Sequence, residues 1–90
     1  MPKIVLTDFY TKTCSYCREE ALILEELEEV FAGQVEFRLV DAELDSKLAE
    51  KYVIFAIPTL IIERDGEILE RWNGFVPGEM LERALRDALS

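Results

Sequence analysis

The chain has 90 residues, half of them hydrophobic and 32% charged, which fits one globular domain over residues 1–90. Nineteen acidic against ten basic residues give a net charge of −9, which argues against nucleic acid and anionic membrane surfaces as partners, because their phosphates would repel it. Histidine is absent, so the commonest general base is excluded and proton transfer falls to a carboxylate, Lys, Tyr, Cys or water.

Lys3 to Phe9 reads as a strand, nearly continuous in apolar residues and therefore suited to a central position covered on both faces. Asp8 interrupts that run. It has either reached the solvated end of the strand or lies partly buried as a carboxylate behind Cys14 and Cys17. Burial without a cation would raise its pKa and let it exchange a proton with Cys17. The first residues carry one positive charge and the apolar run stops at Thr7-Asp8, so no secretory signal is expected, and a cytoplasmic location is the expectation.

Tyr10 to Thr13 is a loop into a helix that starts near Cys14 or Ser15 and runs to Phe31. Ala21, Leu24, Leu27, Val30 and Phe31 recur at three- and four-residue steps, with Leu22 and Ile23 widening the stripe. Glu19, Glu20, Glu25, Glu26, Glu28 and Glu29 take the other face, and Gly33 ends the helix. Cys14 and Cys17, the only two cysteines, fall at the start of this helix. Three positions apart on a helix, their sulfurs lie about one turn from each other, within reach of a bond. Cys14 would stand at the helix N-terminus, where free amides and the dipole favour a thiolate, the attacking species in disulfide exchange. Lys12 and Arg18 add nearby positive charge, screened where it is exposed.

Redox chemistry is the leading reading of this CxxC, against two others. A structural disulfide closing about four residues contributes only ~2 kcal/mol in the chain-entropy relation. A structural zinc site needs four ligands, and no third Cys and no His exists to complete one within this chain.

Val35 to Val40 is a second strand, and Ser46 caps a short helix from about Lys47 to Tyr52. The long crossover makes the first two strands parallel. The longest apolar stretch, Val53 to Ile62, is broken by Pro58 and Thr59 and is too short to span a bilayer. Pro58 opens the next strand, and Leu60 to Arg64 with Glu67 to Trp72 flank Asp65-Gly66, a two-residue hairpin link. Asn73-Gly74 turns the chain, and Pro77 lies in the first turn of a final helix with Met80, Leu81, Ala84, Leu85, Ala88 and Leu89 on one side. The predicted order is β-α-β-α-β-β-α: an α/β fold with a four-stranded mixed sheet and helices on both faces.

That order resembles the thioredoxin-like superfamily over essentially the whole chain. Asp8-Phe9, six residues before Cys14, is similar to the Asp-Phe ahead of the thioredoxin active site. Cys14-Ser15-Tyr16-Cys17 matches the redox motif, Ile57-Pro58-Thr59 the thioredoxin Ile-Pro-Thr, and Gly74-Phe75 the glycine-containing turn that borders the substrate groove. Departures are equally specific. Thr13 and Tyr10 stand where thioredoxins carry Trp, and Ser15-Tyr16 is closer to the glutaredoxin Pro-Tyr. The double glycine of glutaredoxins is missing. The lysine that thioredoxins place near the buried Asp has no firm match, Arg38 being nearest. The mixture most resembles a small archaeal thioredoxin with a glutaredoxin-like motif.

The resemblance implies that Cys14 attacks a substrate disulfide, Cys17 resolves the mixed disulfide, and Asp8 assists Cys17. Tyr16, Ile57, Pro58, Thr59, Gly74 and Phe75 would meet the substrate, and the Ile57–Pro58 bond would be cis, where the residues alone suggest trans. It further implies protein disulfide substrates, a thioredoxin-reductase-like electron donor, no cofactor or metal beyond the Cys14–Cys17 disulfide, no membrane or nucleic-acid partner, and a monomer. A glutathione-dependent glutaredoxin, or a dimer bridged by an iron–sulfur cluster with one cysteine from each chain, is the alternative.

Overall fold

The computed structural model describes residues 2–90. Its elements follow the expected order: β1 (Ile4–Tyr10), α1 (Ser15–Val30), β2 (Val35–Asp41), α2 (Ser46–Lys51), β3 (Thr59–Arg64), β4 (Glu67–Asn73) and α3 (Gly78–Leu89). The strands lie in the order β2-β1-β3-β4. β1 and β2 are parallel, as the α1 crossover requires, and β1–β3 and β3–β4 are antiparallel. Asp65 and Gly66 have φ of 51° and 85°, the two left-handed residues that a two-residue hairpin of matching twist demands.

Alternation along the central strands divides the interior. Ile4 and Leu6 of β1 and Leu60 and Ile62 of β3 face α1 and α3, packing with Leu24, Leu27, Phe31, Val76, Leu81, Leu85 and Ala88. Val5, Thr7 and Phe9 share the opposite face with Thr59, Ile61 and Glu63. There the Phe9 ring lies 5.6 Å from that of Tyr52, and the Tyr52 hydroxyl donates to Glu63 Oε2 at 2.9 Å. Arg71 of β4 secures the end of α2 by donating to the carbonyls of Tyr52 and Val53. Helices therefore cover both faces, and β1 is buried along nearly its whole length because both of its faces are apolar contacts.

Three local expectations change. The α1 stripe runs through Cys17, Glu20, Leu24 and Leu27 to Phe31 at the C-cap. Glu20 is 0% exposed while Val30 is 50% exposed, the reverse of the predicted faces. A line from Cys17 to Phe31 at 3.6 residues per turn passes through position 20 and misses position 30. The α2 cap is Asp45, one residue before Ser46, and its carboxylate accepts from Leu48 N–H at 3.2 Å. Pro77 sits at the N-cap of α3, just ahead of the first turn, where its carbonyl accepts from Met80 and Leu81.

Candidate active site

Strand register gathers three loops at one edge of the sheet. Phe9, near the end of β1, pairs with Thr59 at the start of β3, and Thr59 pairs with Asn73 at the end of β4. The loop before Cys14, the loop ending at Pro58 and the loop beginning at Gly74 therefore leave the sheet side by side. Cys14 caps α1 with extended backbone (φ −88°, ψ 113°), and its Sγ accepts the Cys17 N–H at 3.2 Å. Cys14 and Cys17 are bonded as a disulfide with Cα atoms 5.3 Å apart. The two sulfurs are not equivalent: Cys14 is half-buried at the rim, whereas Cys17 is buried in the first turn.

The Ile57–Pro58 peptide is cis, as the resemblance implies. Pro58 is buried and Ile57 half-buried. Thr59 differs from expectation. Its side chain is fully buried and its hydroxyl donates to the Ala56 carbonyl at 2.6 Å, so it holds the loop's shape instead of facing a substrate. Tyr16 is 63% exposed, and its ring centroid lies 6.1 Å from that of Phe75. Gly74 has φ 151°, on the positive side that favours glycine, and it carries the chain from β4 to Phe75.

Behind the disulfide a cleft of about 220 Å³ reaches Asp8 between Tyr10, Ala21 and Leu39, with the exposed Lys12 and Arg18 on its rim. Asp8 is 1% exposed, and neither carboxylate oxygen meets a protein hydrogen-bond donor. Burial first, and the charge of Glu20 second, push its pKa up to about 7. Glu20 belongs to the same buried layer. Its Oε1 accepts the Val76 N–H at 2.7 Å and its Oε2 has no protein donor. Burial raises its pKa to about 7 against the opposing effect of that hydrogen bond, with Glu19 adding to the rise.

Arg38 does not serve as the cation for Asp8. It pairs in register with Thr7, on the α2 face, and binds Glu36. The residue beside Asp8 on β2 is Leu39. Sequence reasoning alone misses Glu20 and Leu39, although the helical period fixes the first relative to Cys17 and the parallel register fixes the second relative to Asp8. Among the described residues no cluster of three or more His, Cys, Asp or Glu side chains fit to hold a metal occurs, and no helix is long and apolar enough to cross a membrane.

A family model described as thioredoxin matches residues 1–87. The thioredoxin of Bacillus subtilis is 34% identical over 86 residues, which cover 96% of this chain and 83% of that one. A mutant thioredoxin from Halobacterium salinarum matches in structure with a TM-score of 0.90 at 26% identity, over 98% of this chain and 76% of that one. The structure of thioredoxin-2, a component of malaria parasite protein secretion machinery, has a TM-score of 0.92 at 21% identity over 96% and 84% of the two chains, a likeness of fold.

Proposed function

This chain belongs to the thioredoxin family, and on that footing we propose that Cys14 is the attacking sulfur, Cys17 the resolving sulfur and Asp8 the proton partner of Cys17. The chain is a thiol–disulfide oxidoreductase for protein disulfides, built around the Cys14/Cys17 pair. The observation that carries the assignment of roles is the asymmetry of the pair: the rim sulfur caps a 16-residue helix and accepts an amide N–H, while its partner is buried beside Asp8.

In the reducing direction, Cys14 thiolate attacks one sulfur of the substrate disulfide. A mixed disulfide forms and the other substrate sulfur leaves as thiolate. Cys17 then gives its proton to the Asp8 carboxylate and attacks Cys14 Sγ. The Cys14–Cys17 bond forms, the second substrate thiolate departs, and two electrons have passed to the substrate. A dithiol donor of the thioredoxin-reductase kind returns them, and Asp8 returns the proton to Cys17. Tyr16, Ile57, Pro58, Gly74 and Phe75 supply the surface against which the substrate segment lies, with the Tyr16 and Phe75 rings as its apolar contacts. The cycle uses no group beyond the two sulfurs and the carboxyl, and we place it in a monomer of one domain in the reducing cytoplasm.

Insulin reduction by the Cys14 and Cys17 variants tests this. Cys14→Ser should abolish turnover. Cys17→Ser should keep the first attack and accumulate a mixed disulfide with substrate. Undiminished turnover by Cys14→Ser would rule the mechanism out.

A further inference from the structure

No residue of β2 draws the proton off Asp8, because Leu39 stands beside it in register. From α1 the acidic neighbour is Glu20, one turn beyond Cys17 on the buried face. Asp8 shares its face of β1 with Leu6 and pairs with Leu60, and Glu20 lies on the buried face of α1 with Leu24, near enough for its charge to act on Asp8. Three of their four oxygens have no protein donor. Two adjacent negative charges in a layer of that composition are costly at neutral pH, so the second proton is held more tightly than the first. The Val76 N–H decides which group ionises first, since a donor bonded to the charged form favours it.

We propose that Glu20 is a positioning residue that keeps the transferable proton on Asp8: held as the carboxylate by the Val76 amide, it repels negative charge from Asp8 and makes the Asp8 carboxylate a stronger base toward the Cys17 thiol. The inference rests on reading Asp8 as the proton partner of Cys17. The groups around Asp8 are Cys17, Glu20 and Ala21 from α1, Leu39 from β2, Leu60 from β3 and Tyr10 from its own strand, with Lys12 and Arg18 on the cleft rim screened by water. Glu20 has Asp8 across the layer, Glu19 on its own helix and the Val76 N–H from the loop before α3. When a dithiol reductant opens the Cys14–Cys17 bond, the electron pair goes to the leaving Cys17 sulfur, which takes the Asp8 proton. Asp8 is then a carboxylate beside a charged Glu20, ready to recover a proton in the opposite direction.

Glu20→Gln separates charge from architecture, because its side-chain carbonyl still accepts the Val76 N–H. Carboxyl carbon NMR titration of the oxidised protein should show the Asp8 midpoint falling by about half a unit or more in Glu20→Gln, while burial keeps it above the ordinary carboxylate range. The pH profile of the resolving step should move in the same direction. Glu20→Leu, suited to the apolar layer, should lower the Asp8 midpoint as well and serves if the glutamine variant does not fold. An Asp8 midpoint that stays with the parent in either folded variant overturns the role of Glu20. A pH–rate profile that Asp8→Asn leaves unchanged would instead sink the reading of Asp8, and the NMR titration separates the two failures.

Discussion

The two faces of the sheet each bury a carboxylate from a central strand, and they treat it differently. On the α2 face Glu63 accepts the Tyr52 hydroxyl at 2.9 Å, and the positive charge of Arg38 lies on the same side. On the α1 face Asp8 has no protein donor, no cation in register and a second carboxyl, Glu20, as its neighbour. A buried polar group that finds its partners is ordinary packing. One that is denied them costs about 1–3 kcal/mol or more, and such a cost persists where chemistry uses the group. The unsatisfied pair lies in the layer that carries the disulfide; the satisfied carboxylate lies on the far side of the sheet from it.

The sharpest way to break that contrast is Asp8→Asn. The folded-state pKa is pushed up to about 7 from an ordinary 3.8. Below pH ~4 the carboxyl is protonated both folded and unfolded, and burial imposes no ionisation penalty. As pH rises towards 7 the unfolded chain releases the proton while the folded one keeps it, so stability falls, and above 7 the whole penalty is present. Asparagine cannot ionise. The variant should therefore be more stable than the parent at pH 8 by a few kcal/mol, with the gain vanishing near pH 4. Its resolving step should slow by roughly 10- to 100-fold at neutral pH. Denaturant unfolding of the oxidised proteins at both pH values, with single-turnover kinetics, measures this. An equal gain at pH 4 and pH 8 would show that ionisation of Asp8 is not what the fold resists.

Removing the donor on the other face should do the opposite. Tyr52→Phe leaves Glu63 Oε2 without the donor it has now, and should cost about 1–2 kcal/mol without changing the pH profile of turnover. A gain in stability, or a shifted profile, would mean that the two faces do not differ in kind.

The same difference explains how far the sequence can be read. The element order, the parallel pair, the Asp65-Gly66 hairpin and the Cys14 position rest on local signals: hydrophobic period, turn chemistry and helix start. Those signals are carried by adjacent residues, so they are legible without a fold. Asp8 reads as either buried or solvated, because the choice depends on what α1 and β2 bring over it. Charge makes Arg38 the nearest candidate for the lysine that the resemblance leaves without a firm match, yet nearness in sequence does not fix which residue of a parallel strand shares a face with Asp8; the Asp8–Leu39 register does. Charge likewise assigns Glu20 to solvent, although the helical period from Cys17 to Phe31 already passes through it. Composition misleads there where geometry does not.

Leu39→Lys tests the register most directly and should have the smallest effect. Residue 39 shares a face with Asp8 and lines the cleft that reaches it, so a lysine there would bring a cation to the side opposite Glu20. Leu39 is 59% exposed, and water would screen most of that charge. The Asp8 midpoint should fall by only about half a unit, with a gain in stability at pH 8 below about 1 kcal/mol. Lysine on β2 and glutamine in place of Glu20 act on Asp8 from different elements, so their shifts should add in the double variant. A double variant no different from Glu20→Gln alone would place residue 39 out of reach of Asp8. A shift upward would mean that the lysine had sealed the cleft and that desolvation outweighed its charge, leaving Glu20 as the one charged group near enough to govern the proton.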